Sequence, residues 1–340
     1  MASTKQVVGN PTPRIEGELK VSGQAKYAVD VTLPGMLWAK LLRSPIASGK
    51  IKRIDASKAG KLKGVRAIIT GQECAGLKIG RRLYDMPILA DGEVRFIGEK
   101  VLALAADSED IAEEALNLIE VEYEESAALL DPVEALGAGA KLVHPDVANY
   151  KGLPKPLSGP TNEFVYYTWK KGDIETGFRQ ADIVVENTFT TPVVHHGYIE
   201  PHSAVAKVAP DGSAEIWCCS KVPYAIREQV GNALQISHEK LVVNPCYIGG
   251  DFGGKGDFMD VAVVYLLSKK AGKPVKLVMD YDEELIAGNP RHASIIKVRT
   301  GVKKDGTIVA HHMDFIFDSG AYGAFKPNAF LAGPHGSAGP

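Results

Sequence analysis

Gly249-Gly250-Asp251-Phe252-Gly253-Gly254-Lys255, followed at once by Gly256, is the stretch that decides how the rest of the chain is read. Only Asp251, Phe252 and Lys255 interrupt the glycines, which is too dense for a simple turn. Glycine lets the backbone take positive φ and approach another object closely. Successive amides in such a turn form an anion nest, and a helix N-terminus behind them adds partial positive charge. The sequence places an apparent strand in front of the loop (Leu241 to Ile248). An apparent helix lies behind it (Phe258 to Lys270, stopped at Gly272). The expectation is a cradle for a phosphate or an electron-rich ligand, with Phe252 packed over an apolar edge. The plain alternative is a tightly packed strand-to-helix turn.

Known nucleotide motifs fit this loop poorly. Gly249 to Lys255 has the Gly–Lys spacing of Walker A, but residue 256 is glycine, so the hydroxyl that would meet magnesium is missing. The Gly-x-Gly-x-x-Gly spacing of a dinucleotide fold does not fit either.

Outward from the loop, strands and helices interleave without a repeated βαβ unit, which predicts an α+β fold. Residues 1–20 read as a polar N-terminal arm. From 21 to 130, Met36–Leu42, Val65–Thr70 and the apolar run Val101–Ala106 read as strands. Ser108 reads as the N-cap of a helix through Leu118, and Ile119–Tyr123 alternates as a half-buried strand. Residues 131–165, rich in Pro, Gly, Ala and Asn, read as a linker. The stretch 166–340 is β-rich: strands at Ile183–Thr190, Ala204–Val208 and Ala214–Trp217, and a helix at Tyr224–Leu234. Ser237 is expected to cap a short turn there. A long hairpin follows from Ile295 to Phe317, turning at Lys303-Lys304-Asp305-Gly306.

The bulk numbers exclude several classes. Of 340 residues, 39 are Lys or Arg and 41 Asp or Glu, a net charge of -2 that gives no footing to a nucleic-acid or acidic-membrane partner. No apolar stretch approaches the ~20 residues of a membrane span, and the first residues lack a secretory core, so the expected location is cytoplasmic. Cys74, Cys218, Cys219 and Cys246 form no Cys-x-x-Cys pair, so no zinc ribbon or iron–sulfur cluster is written locally, and buried thiols are expected. His195, His196, Glu200 and His202 cluster ligand-type side chains, but Pro201 breaks the helix a zinc site would need, favouring a structural role. His311 and His312 are expected on opposite faces of one strand.

The loop closely resembles the GGGFGGK loop of the xanthine dehydrogenase and aldehyde oxidase family of molybdopterin hydroxylases, with Asp251 in place of the middle glycine. The resemblance runs through most of the chain in the family's order. Ile15–Gly17, Val21–Tyr27, Asp30, Arg43–Pro45 and Val94–Glu99 resemble an α/β hammerhead domain. Gly172-Asp173, His196–His202, Arg291-His292 and Asp318–Tyr322 resemble the first molybdopterin-binding domain. Single pieces are weak; the ordered set is specific.

The resemblance implies that Gly250, Asp251, Phe252, Gly253 and Gly254 line a molybdenum–molybdopterin cofactor. Lys221 falls where many members carry a glutamine near the metal. There it either brings a charge into a partly desolvated site or swings to solvent. Gly256 falls where purine-oxidising members carry a substrate-binding glutamate, which argues for an aldehyde or another N-heterocycle. The implied chemistry is hydroxylation with water as the oxygen source. The family's general-base glutamate belongs to a later domain, so no catalytic residue and no protein metal ligand is assigned here. The 166–340 domain is expected to be incomplete at Pro340. The rest of the site is then expected from a missing C-terminal half or a second molybdopterin-domain chain, with iron–sulfur clusters and FAD on partner subunits. A non-catalytic assembly or scaffold subunit of the same fold is the alternative, kept open by Lys221 and Asp251. An unrelated phosphate-binding enzyme is a third.

Overall fold

The computed structural model describes residues 9–325 apart from Pro154 and Met259. The first eight residues of the expected arm and the expected end at Pro340 lie outside that range. The first half carries strands β1 (Leu37–Arg43), β2 (Gly49–Asp55), β3 (Val65–Thr70), β4 (Lys78–Ile79), β5 (Met86–Pro87), β6 (Glu93–Val94), β7 (Lys100–Ala106) and β8 (Glu120–Glu125). Helices α1 (Gly17–Val21), α2 (Ser57–Lys61) and α3 (Glu109–Asn117) lie among them, and α4 (Pro132–Ala135) follows. After the largely irregular 136–173 come α5 (Ile174–Arg179), β9 (Ile183–Thr191), β10 (Ser203–Val208), β11 (Ala214–Cys218) and α6 (Pro223–Leu234). Then follow β12 (Leu241–Pro245), α7 (Val261–Ala271), β13 (Val275–Val278), α8 (Tyr281–Ala287), β14 (Ser294–Val302) and β15 (Ile308–Phe317). The α+β class holds.

The central sheet has the order β12-β11-β10-β13-β1-β7-β3, so it draws strands from both sides of the 131–165 connection. The joining edge is the parallel pair β1–β13, in which Leu37, Trp38 and Ala39 lie against Val275, Lys276 and Leu277. β7 shows why its run is continuously apolar. Ala103 and Ala105 join the core that contains α7, while Leu102, Leu104 and Ala106 join the cluster of α2 and α3. A strand with helices on both faces has no side to give to water. Ser108 caps α3 by accepting from the Ile111 amide at 3.3 Å.

The long hairpin forms β14 and β15, with β9 on the other side of β14. Its turn runs Lys303 to Thr307 and closes through Lys303 N to Thr307 O at 2.9 Å. His311 and His312 do lie on opposite faces: His311 meets Thr300, and His312 stands 3.6 Å from Asp314. Ser237 precedes a single 3₁₀ turn, but its hydroxyl makes no capping bond. Cys74, Cys218 and Cys219 are buried, whereas Cys246 is only half-buried.

A buried charge network sets the start of α7. The Asp260 carboxylate at the N-cap takes Lys100 Nζ at 3.0 Å and Arg43 at 3.1 Å, and Arg43 also holds Glu283 at 2.8 Å. Burial alone would raise the Asp260 carboxyl, but the two cations outweigh it and hold the pKa below its ordinary value. Arg43 and Lys100 come from β1 and β7, so the first half of the chain fixes the segment that leaves the glycine loop.

Candidate cofactor site

The loop hangs between β12, which ends at Pro245, and α7, which begins at Val261. Both flanking elements are shorter than the sequence suggests. Phe258 continues the apolar spacing of α7, yet Asp260 is the cap, because its ion pairs fix it outside the helix. The loop amides are therefore not the first turn of α7, and the expected helix charge does not sit directly behind them.

The loop alternates conformations that only a glycine-rich segment sustains. Gly250 lies at φ +104°, Phe252 at +47° and Gly253 at +100°. Phe252 is a non-glycine residue in the left-handed region, and its side chain is 73% exposed. Gly254 has no room for a side chain: a Cβ there would come within 2.5 Å of Tyr198 Cε1 and 3.0 Å of His196 Nδ1.

Both ends of the loop are tied to Glu200. Its Oε2 accepts from the Gly249 amide at 2.7 Å and from Lys255 Nζ at 2.5 Å. The Lys255 side chain is wholly buried, with its ammonium 4.7 Å from the centre of the Tyr198 ring. Below this, Tyr198 donates to Glu284 Oε2 at 2.8 Å. His202 meets the same carboxylate through Nδ1 at 2.9 Å and through its backbone amide. Burial works to raise the Glu284 carboxyl, but the bonds from His202 and Tyr198 hold it below its usual value. The His195–His202 segment is thus the floor of the loop, with Tyr198, Glu200 and His202 in hydrogen bonds and His195 and His196 in ring contacts with Tyr198. Among the described residues, no group of three or more His, Cys, Asp or Glu could hold a metal ion.

The two unusual side chains meet each other. Lys221 Nζ lies 2.6 Å from Asp251 Oδ2, in a half-exposed ion pair. Lys221 is exposed at the rim of the loop, where its charge is paired with Asp251. Its amide also bonds to Lys255 O at 3.1 Å, which docks the β11–α6 connection on the loop's far end. Asp251 accepts from the amides of Gly253 (3.0 Å) and Lys255 (2.8 Å) as well. Burial pulls its carboxyl up, but these three donors keep it below the ordinary value.

Two amides of the expected nest, those of Gly253 and Lys255, are therefore taken by the loop's own carboxylate. Among the described residues, the amides of Gly250, Asp251 and Phe252 have no protein acceptor. Three consecutive open donors beside an exposed ring suit an electron-rich ligand laid over 250–252, so the residues fit a pterin-type cofactor at that edge. The residues sequence reasoning missed are Glu200, as counterion to Lys255, and Glu284. A buried lysine needs a carboxylate, and Glu200 was available as that signal; nothing local points to Glu284, 82 residues from its partner His202.

A model of the molybdopterin cofactor-binding domain matches residues 158–339, more than half of the chain. The chain belongs to the aldehyde oxidase and xanthine dehydrogenase family. A model of that family's α/β hammerhead domain matches residues 22–127. A probable xanthine dehydrogenase subunit of Bacillus subtilis (strain 168) is 33% identical over 328 residues, covering 96% of this chain and 42% of that protein. The nicotinate dehydrogenase large molybdopterin subunit of Eubacterium barkeri is 31% identical over 328 residues, covering 96% of this chain and 74% of that one. The reconstituted CO dehydrogenase from Oligotropha carboxidovorans superposes with a TM-score of 0.81 at 28% identity, over 92% of this chain and 40% of that one. The chain thus spans less than half of the length of two of these three. Among the described residues, no helix is long and apolar enough to cross a membrane.

Proposed function

We propose that this chain supplies one wall of the molybdenum–molybdopterin site in a multi-subunit hydroxylase that oxidises an aldehyde or an N-heterocycle with water as oxygen source. The observation that carries it is the edge at Gly250, Asp251 and Phe252, where three open amides stand beside an exposed aromatic ring. Gly250 to Gly254 would hold the cofactor by backbone donors, with Lys221 and Asp251 at its rim. When bound, the cofactor supplies the two-electron oxidation. This chain's residues position it: Glu200 and Lys255 tie the two ends of the loop, and the buried Tyr198 ring leaves no room for a side chain at position 254. On this reading Gly256 lines the substrate pocket with no side chain to hydrogen-bond a purine, which disfavours a substrate of the xanthine type.

The general base and the rest of the cofactor cradle come, on this reading, from a second molybdopterin-domain chain or from further sequence. Iron–sulfur and flavin subunits carry the electrons away. Two features support a partner. The same stretch makes up 74% of the Eubacterium barkeri subunit but 42% of the Bacillus subtilis protein, so this part occurs within chains of very different length. The sheet β15-β14-β9 also presents Val185, Phe189 and Phe317 at 36% exposure or more, a face suited to being covered.

Asp251 favours a second reading. Because it already occupies two loop amides, a scaffold subunit that keeps the fold without the cofactor fits the same geometry. Molybdenum and pterin content of the complex from its native source separates the two. One cofactor per copy of this chain supports the hydroxylase; a metal-free complex with every partner present overturns it in favour of the scaffold.

A further inference from the structure

A cavity of about 460 Å³ opens where α6 ends, and none of the residues lining it belongs to the glycine loop. Three parts of the chain build it: residues 76–78 with Tyr84, the stretch from Asp146 to Lys151, and the last turn of α6. Its volume is that of a small-molecule site. Two of the lining residues are lysines, each with its ammonium over a tyrosine ring. Lys78 Nζ lies 3.6 Å from the centre of the Tyr150 ring, and Lys151 Nζ lies 5.1 Å from that of Tyr84. Among the described residues neither ammonium has a hydrogen-bond acceptor, so their donors are open. Lys78 is half-buried, and burial holds its pKa below the ordinary lysine value, against the pull of Asp85 and Asp146. The rings beneath are fixed. His144 Nε2 lies 2.6 Å from the Ala321 carbonyl, which only accepts, so Nε2 carries the proton and the bare Nδ1 takes the Tyr150 hydroxyl at 3.1 Å. Tyr84 Oη accepts from Asn232 Nδ2 at 2.9 Å, and the Tyr84 amide donates to Lys151 O at 2.9 Å.

We propose that this cavity is a second ligand site, which takes a small phosphomonoester of a hydroxyl-bearing compound with its phosphate on Lys78 and Lys151. A half-buried ammonium without an acceptor is poorly satisfied, and an anion supplies the missing bonds. Against the two cations stand one rim carboxylate, Asp146, and the last carbonyls of α6. Behind Lys78, Asp85 and Arg95 are of opposite sign. The balance favours negative charge, and the gain grows with the charge of the ligand. A phosphomonoester carries about 1.5–2 negative charges near pH 7 and three acceptor oxygens, enough to serve two separate point-charge donors, whereas a carboxylate carries one charge. The side-chain amides of Asn149 and Gln235 also line the cavity, and the Tyr84 hydroxyl keeps a proton to donate. Neutral groups that both donate and accept suit the hydroxyls of the esterified compound.

Calorimetric titration of the assembled protein in phosphate-free buffer tests this, with ribose 5-phosphate, adenosine 5′-monophosphate, ribose and inorganic phosphate as probes. At least one of the two esters is expected to bind about tenfold or more tightly than ribose and than inorganic phosphate. The tighter ester tells whether the site serves a free sugar phosphate or a nucleotide, and either result supports it. Lys78→Gln should weaken that ester by about tenfold, and Lys151→Gln by a smaller factor. Lys151 is exposed, so its variant keeps the fold and reads binding alone. No binding of either ester, ribose as tight as ribose 5-phosphate, or affinity unchanged in both variants overturns the proposal. Inorganic phosphate as tight as the esters reduces the cavity to an adventitious ion site and overturns it as well.

Discussion

Lys255 Nζ lies 2.5 Å from Glu200 Oε2, and that same oxygen accepts the Gly249 amide at 2.7 Å. One carboxylate oxygen therefore gathers the first and last residues of the glycine loop. A segment so rich in glycine has a large conformational entropy to lose on ordering, and a shared buried anchor at its two ends restricts it more than separate contacts would. The pair is costly in isolation, since both charges leave water. It is tolerated because the tyrosine ring and the loop amide add partners around it.

Removing one member should therefore cost far more than removing both. Lys255→Met leaves Glu200 buried without its counterion and is expected to destabilise the fold by about 3–5 kcal/mol. The double variant Lys255→Met with Glu200→Leu should lose clearly less than the sum of the single changes. Denaturant unfolding of the four proteins checks this, and simple additivity would count against the pair as the loop's anchor.

Gly254 is constrained by space. Its missing Cβ faces Tyr198, a fully buried ring bonded to Glu284 that has nowhere to retreat. Gly254→Ala is expected to cost about 1–3 kcal/mol through overpacking and to lower molybdenum content along with it. A variant of wild-type stability would show that the floor of the loop is softer than the packing implies.

Local elements were legible because their signals are local. The apolar run at 101–106, the Ser108 cap and the turn at 303–307 each carry their own chemistry. The central sheet was not: β1 and β13 pair residues 37–39 with 275–277, and a parallel pairing at that separation leaves no trace in either segment. The start of α7 was set too early because Phe258 fits the helical spacing, while the ion pairs of Asp260 with Arg43 and Lys100 act across the fold. In the site, the loop stood out by composition alone. Lys221 and Asp251, 30 residues apart, read singly as departures from the family pattern; only their 2.6 Å contact makes them one feature.

Asp251 gives that feature a direct test. Its carboxylate occupies the amides of Gly253 and Lys255. Asp251→Gly should vacate them and leave Lys221 without its anion, creating a site for a small oxyanion. Sulfate or molybdate is expected to raise the unfolding temperature of the variant more than that of the wild type. Equal responses would mean that the loop amides do not act together as a nest.

The fold also holds two groups whose titrations oppose each other. Burial pushes Asp85 up to about 6, with its Oδ2 bonded to the Gly323 amide and its Oδ1 buried without a hydrogen-bond partner among the described residues. Burial pushes His144 down to about 4, its Nε2 on the Ala321 carbonyl. Between about pH 4 and 6 the folded chain holds a proton on Asp85 that the unfolded chain has released, so this group's contribution to stability falls as pH rises. Over the same range the unfolded chain protonates His144 and the folded chain does not, so the histidine's contribution rises with pH. The two slopes offset each other in the wild type. Asp85→Asn keeps an acceptor for Gly323 and removes the falling slope. Its stability relative to wild type should climb between about pH 4 and 6 and level off above, by a difference on the order of 2–3 kcal/mol. Urea unfolding of both proteins from pH 4 to 8 reads that difference directly. A flat difference curve would show that Asp85 titrates as an ordinary carboxylate in the folded chain.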